Sequence, residues 1–261
     1  FAMKEVIFMS NYYDENNDFL EQEYKNEEKN PRLATYEDLN RLVASKVRGS
    51  VLWMVFGLVL SGIAGFFVMN AAYVGIFSYE VFAALVKISV ILELVTVLAF
   101  TFLIYKVSSR VLKLMFIVYS ILTGISFSVL FATDLNIVIT AFSVTALLFL
   151  ILGIYGYVTN EDLTKFGSIA TVGLITIILA SIVNIFLQSD GVVWFMTILG
   201  IIIFVIFIAV DINRIKNNII AHAVQGDTEI LNKIEIMGAL NLYLDFVNLF
   251  IYILRLLGRR K

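Results

Sequence analysis

Seven membrane-spanning helices packed as an all-α bundle is the fold class this sequence predicts, and three observations carry it. Of 261 residues, 60% are hydrophobic and only 15% charged, where a soluble domain carries about 25%. The mean hydropathy is +0.92. The apolar residues gather into seven segments, each near the ~20 residues a helix needs to cross a bilayer. Within them Ile, Leu, Val and Phe run on without the alternation of a transmembrane β-barrel.

In order, the segments are Val51 to Phe77, Val81 to Tyr105, Val111 to Phe131, Leu135 to Val158, Ser168 to Leu187, Val192 to Val210 and Met237 to Leu257. The chain before them is different in kind. Its first fifty residues hold ten Asp or Glu and seven Lys or Arg, so residues 1–30 read as a solvated, disordered tail. After Pro31, the protein's only proline, Thr35, Tyr36, Glu37 and Asp38 suggest a capped short helix carrying Arg41, Lys46 and Arg48 towards the membrane. The expected division is an acidic tail with a short helix at its end over 1–48, a transmembrane domain over 49–258 and a basic tail over 259–261. Gly57, Ser61 and Gly65 in the first segment, and Ser120, Gly124 and Ser128 in the third, form small-residue faces expected to let helices approach closely.

Lysine and arginine set the expected orientation. The loops after the first, third and fifth segments have none. Those after the second, fourth and sixth are marked by Lys106, Arg110 and Lys113, by Lys165, and by Arg214, Lys216 and Lys233. The N-terminal tail and the even loops should therefore face the cytoplasm. The basic end, Arg255 and Arg259 to Lys261, lies outside if the seventh segment spans and inside if it is re-entrant. Its length of about 21 residues favours spanning.

Composition also excludes functions. A formal charge of −2 offers no basic excess for nucleic acid. Without cysteine there are no disulfides, thiolate metal sites or cysteine nucleophiles, and one histidine, His222, makes no imidazole cluster. No resident cofactor is expected.

Charges inside apolar segments cost about 2.5 to 3.5 kcal/mol at a helix centre, so Lys87, Glu93, Asp211, Asp245 and Arg255 each need a reason. In the seventh segment Gly238, Asn241, Asp245, Asn248, Tyr252 and Arg255 recur at spacings of three and four, which places them on one helical face. That stripe is either a packing seam or a lining for something polar. Asp211, at the end of the sixth segment, can pair with Arg214 one turn on. If Asp211 and Asp245 meet in a low-dielectric interior, they cannot both ionise cheaply and would share a proton as a coupled unit. They would then be a proton sensor or a calcium site, since calcium takes only oxygen ligands. Glu93, on a face with Ser89, Thr96 and Phe100, is the third candidate. It is expected in the ion pathway with Asn241 and Asn248, while Lys87 snorkels outwards.

Three stretches make the chain recognisable. They are Tyr155-Gly156-Tyr157-Val158-Thr159-Asn160-Glu161-Asp162-Leu163-Thr164-Lys165-Phe166-Gly167-Ser168, Asp211-Ile212-Asn213-Arg214-Ile215, and Gly238-Ala239-Leu240-Asn241-Leu242-Tyr243-Leu244-Asp245-Phe246-Val247-Asn248-Leu249-Phe250. With Ile91-Leu92-Glu93-Leu94 and Tyr119 to Ser128, they resemble the Bax inhibitor-1 family, also called transmembrane Bax inhibitor motif proteins, from about Arg41 to Gly258. The resemblance implies a seven-helix bundle acting as a pH-sensitive calcium leak. An aspartate pair near the cytoplasmic side senses protons, carried over to Asp211 and Asp245, and the second-helix glutamate carries over to Glu93. Two features depart from the pattern: Val210 precedes Asp211 where the family has tyrosine, and Ile215 to Met237 looks like a long loop. An arginine role after the second helix is not assigned, since Lys106 and Arg110 compete for it.

An enzyme is not expected. Aspartyl intramembrane proteases place Gly-x-Gly before the second aspartate and use a Pro-Ala-Leu motif, whereas Leu242-Tyr243-Leu244 precedes Asp245 and no proline follows Pro31. The alternative is a regulator of a membrane-bound ATP-dependent protease with no transport of its own, touching that partner through the acidic tail. The reading therefore names calcium ions, protons and lipid as partners, and a bacterial plasma membrane as the location.

Overall fold

The structure, a computed structural model, describes residues 36–223 and 226–259. The acidic tail through residue 35 lies outside them, including the expected cap at Thr35, as do Arg260 and Lys261. Seven helices follow in order: α1 (Tyr36–Tyr73), α2 (Tyr79–Leu103), α3 (Ser109–Phe127), α4 (Leu135–Val158), α5 (Thr164–Leu187), α6 (Asp190–Ala223) and α7 (Thr228–Gly258), with a 3₁₀ turn (Ser128–Ala132) extending α3. All seven are long and apolar enough to cross a membrane. The chain is an integral membrane protein with an all-α, seven-span fold, and the Ile, Leu, Val and Phe side chains exposed along its helices form the surface that lipid covers.

Helix ends follow local chemistry. Ser78 accepts the Val81 N–H at the start of α2, Asp134 accepts the Asn136 N–H at α4, and Asp227 accepts the N–H groups of Glu229 and Ile230 at α7. Between α5 and α6 the chain turns through Gln188, a non-glycine residue in the left-handed region at φ 48°.

Two boundaries differ from the sequence expectation. The short helix expected before the first span is its continuation: α1 is unbroken for 38 residues and stops at Tyr73, short of Phe77. Nothing between Arg48 and Val51 breaks a helix, and Gly49 leaves room for the Glu235 carboxylate where a side chain would stand. The apparent loop from Ile215 to Met237 is mostly helix, because α6 runs thirteen residues past Val210 to Ala223 and α7 starts at Thr228. Polar residues in that stretch cap and cross-link neighbouring helices. Lys216 Nζ donates to the carbonyls of Tyr157 (3.0 Å) and Thr159 (2.5 Å) at the end of α4. Glu229 accepts the backbone N–H and hydroxyl of Ser109 at the start of α3, and Lys46 of α1 bonds Asn232 and Glu235. His222 sits in the last turn of α6 with its Nδ1 2.8 Å from the Asn218 carbonyl.

Helix α7 is the axis of the bundle. It packs most extensively on α6 and also on α1, α4 and α3, whereas α2 packs chiefly on α3 and α5 chiefly on α6. Its two ends touch opposite faces: Glu229 reaches the α2–α3 turn, and Arg259 donates to the Asp190 carbonyl at the α5–α6 turn. The helix therefore passes through the bundle from end to end and is not re-entrant.

The small-residue faces meet. Ser61 Oγ lies 2.6 Å from the Ser120 carbonyl and 2.6 Å from the Tyr243 hydroxyl, joining α1, α3 and α7. A methyl group on Gly124 would collide with the backbone of Ser61. These residues bring helices together, and the same device on Gly156 seats α4 against the backbone of α6 at Ala209.

Candidate functional site

The α7 stripe divides by what it faces. Asn241, Asp245, Asn248 and Tyr252 line a cavity of about 770 Å³ bounded by α5, α6 and α7, and Asp211 and Arg214 of α6 line it as well. The continuation of α6 past Val210 is what brings Asp211 to the depth of Asp245. Gly238 serves helix packing instead, with Ile215 of α6 filling the space its missing side chain leaves.

The two aspartates are 6% and 5% exposed, so both carboxylates are effectively removed from water. Asp211 is met by Arg214 on its own helix, with Nη1 to Oδ1 at 2.9 Å, and the guanidinium then runs outwards, its side chain 47% exposed. This i, i+3 pair neutralises Asp211 without tying α6 to another helix. Asp245 is close enough to be influenced by the charges of both Asp211 and Arg214. Its Oδ2 is buried with no hydrogen-bond partner, a state that costs free energy unless the group serves something else. Asn248 donates to the Leu244 carbonyl at 2.8 Å, which leaves its own amide oxygen as an acceptor beside the cavity. Tyr252 stacks on Phe204 at 5.9 Å, and Gly200 makes room for its ring.

Glu93 is elsewhere. It sits on α2 against α3, where the Ser126 hydroxyl donates to Oε1. The Thr123 hydroxyl donates to the Tyr119 carbonyl of its own helix, and the Tyr119 ring packs edge to face on Tyr243 at 5.7 Å, whose hydroxyl meets Ser61. The aspartate cavity is lined from the other flank of α7, and Glu93 is not among its lining residues. Lys87 and Arg255 are exposed, and Arg255 lies over the Tyr252 ring at 5.6 Å.

Two carboxylates and the amides of Asn241 and Asn248 line the cavity, oxygen-bearing groups of the kind hard cations take as ligands. Among the described residues no group of three or more His, Cys, Asp or Glu could hold a metal ion. Sequence reasoning missed the α5 wall of Leu174, Ile177, Ile178, Ser181 and Ile182. Ser181 was its one polar mark, and a single serine in an apolar helix does not announce a site.

With this geometry, similarity to known proteins becomes informative. The family model described as inhibitor of apoptosis-promoting Bax1 matches residues 45–261. The chain belongs to the Bax inhibitor-1 family. The inner membrane protein YbhL of Escherichia coli K12 is 39% identical over 214 residues, covering 80% of this chain and 89% of that protein. An uncharacterised protein of Borreliella burgdorferi is 44% identical over 158 residues, covering 60% of this chain and 67% of that one. Another, from Deinococcus radiodurans, is 30% identical over 205 residues, with 78% and 86% covered. The matched range spans every helix but the first turns of α1, and therefore the whole cavity of this Bax inhibitor-1 family protein.

Proposed function

We propose that the protein is a calcium leak, letting the ion move down its gradient under control of a proton-sharing pair, Asp211 and Asp245. The observation that supports this reading most is the buried carboxylate of Asp245, with one oxygen unpartnered, facing a cavity that also holds Asp211. With Arg214 offsetting one of two carboxylates, the cavity keeps a net negative charge when both are ionised. In a low-dielectric interior that charge favours either a bound cation or a proton. Competition between the two is the physical basis of a pH-dependent leak, with protons and calcium as the ligands of one site and no resident cofactor or catalysis.

The setting we propose is a bacterial plasma membrane with the N-terminal tail, Lys106, Lys165 and Lys216 on the cytoplasmic side, following the distribution of basic residues. Calcium flux into liposomes containing the purified protein, measured against protein-free liposomes, tests the reading. Flux that rises with protein and falls in Asp245→Asn supports it. Absence of flux across pH 5 to 8 leaves the regulatory alternative, in which the chain modulates a membrane-bound protease and transports nothing.

A further inference from the structure

The cavity beside Asp245 has two chemically opposed walls. On α7 it presents a carboxylate and two amides, and on α5 it presents Ile177, Ile178 and Ile182. A hydrated metal ion gains nothing from the second wall. The seam between α5 and α7 is not closed by extensive helix packing, since α5 leans chiefly on α6. Ile178, Ile182 and Ile185, all lining the cavity, are 53%, 50% and 69% exposed on a surface that lipid covers. The opening therefore faces the bilayer. From Asp245 the cavity follows α7 to Tyr252, seven residues or ~10 Å at ~1.5 Å each, enough for a stretch of alkyl chain beside the carboxylate. The charged groups facing this space are Asp211, Arg214 and Asp245. Arg214 is engaged by Asp211, so the carboxyl group without a direct partner is that of Asp245.

We propose that the α5–α7 groove is a binding site for single-chain alkylammonium amphiphiles, entered from the membrane, with the ammonium on Asp245 and the chain along Ile178 and Ile182. The ammonium supplies three donors to a carboxyl group that lines the groove and has no side-chain hydrogen bond of its own, its buried Oδ2 becoming reachable by a turn of the carboxyl group. The low-dielectric surroundings strengthen that charge-assisted contact, while the alkyl chain exchanges lipid for an equivalent apolar wall. The inference needs only the groove and is independent of whether calcium passes through it.

The test is photolabelling of the full chain in zwitterionic phosphatidylcholine vesicles with a diazirine-bearing dodecylamine, the labelled peptides being mapped by mass spectrometry. Label is expected on α5 between Ile178 and Ile185 and on α7 between Asp245 and Tyr252. Unlabelled dodecylamine should compete and dodecanol should not. Labelling there should fall about tenfold or more in Asp245→Asn, the factor that a loss of ~1.4 kcal/mol produces. Should that variant lose its helical circular dichroism, Ile182→Trp fills the groove from a half-exposed position and should abolish labelling without disturbing packing. Equal label on the lipid-facing side of α2, equal competition by dodecanol, or wild-type labelling in the folded variants overturns the proposal. Calcium flux without groove labelling removes this inference and leaves the leak; labelling without flux does the reverse.

Discussion

Helix α7 separates two carboxylate sites, one half-buried and one buried, that meet their surroundings differently. On one flank, Glu93 of α2 is met by the hydroxyl of Ser126. On the other, Asp245 of α7 keeps an oxygen unpartnered beside a cavity and shares that cavity with Asp211. Each flank ends in a peripheral helix, α2 on α3 and α5 on α6, and the cavity that Asp211 and Asp245 line lies on the α5 side. A buried polar group that is fully bonded adds to the fold, whereas one left unbonded costs stability and needs another reason to be there. The contrast places Glu93 at the α2–α3 contact and supports the proposal that the aspartate pair is the binding site.

The largest effect expected from testing that contrast is shared by both flanks, because each depends on a glycine against backbone. Gly124→Val would drive a side chain into Ser61 and Gly156→Val into Ala209. Each should cost about 1–3 kcal/mol or more of stability, as overpacking does, or prevent folding, read by thermal unfolding in detergent. Gly62 has open space where a Cβ would go, so Gly62→Ala should change the unfolding temperature little and serves as the control.

The carboxylates themselves should respond with opposite sign. Glu93→Leu removes the acceptor that joins α2 to the Ser126 hydroxyl, which keeps the Leu122 carbonyl of its own helix as a fallback, and should lower stability by about 0.5–1.5 kcal/mol. Glu93→Gln keeps an amide oxygen as acceptor and should lose much less. Asp245→Asn removes a buried charge with an unpartnered oxygen and should leave stability unchanged or raise it by about 1 kcal/mol. A loss in Asp245→Asn as large as that in Glu93→Leu would mean that the two sites are structural alike.

The basis of these predictions was unevenly legible in the sequence. Seven spans, the small-residue faces and the Asn241–Asp245–Asn248–Tyr252 stripe follow from hydropathy and from spacings of three and four, which are local properties. Where α6 ends did not follow. Asp211-Ile212-Asn213-Arg214 reads as an interface by hydropathy, yet the helix continues because Asn213 bonds the Gly156 carbonyl and Lys216 caps α4. Those partners are about 57 residues away in the chain and invisible to any local window. Likewise, Glu93 could be read as facing the interior, but not which side of α7 it would face, since that depends on α2 docking on α3. The Arg214 pairing with Asp211 was readable, being one turn away on a single helix.

A smaller effect concerns the start of α5, the outer wall of the aspartate cavity. Asp162 accepts the Thr164 N–H at 2.9 Å, and its bonds to Thr164 hold its carboxyl below the usual range, with Lys165 adding to the effect. The folded-state value is depressed, so the contribution is present above the ordinary carboxylate range and lost as pH falls through the folded value. Asp162→Ala should speed amide exchange in the first turn of α5 at pH 7 and make no difference in acid below that value. Exchange in α2 should not move.

The central claim is that Asp211 and Asp245 act as one unit, and its most direct test is the pH dependence of calcium flux in liposomes for the wild type, Asp211→Asn, Asp245→Asn and the double variant. Substituting either residue removes the shared proton, so each single variant should lose most of the pH dependence and the double variant little more. Glu93→Gln should retain it. Additive losses from the two substitutions, or normal pH dependence in either single variant, would show two separate carboxylates and contradict the account.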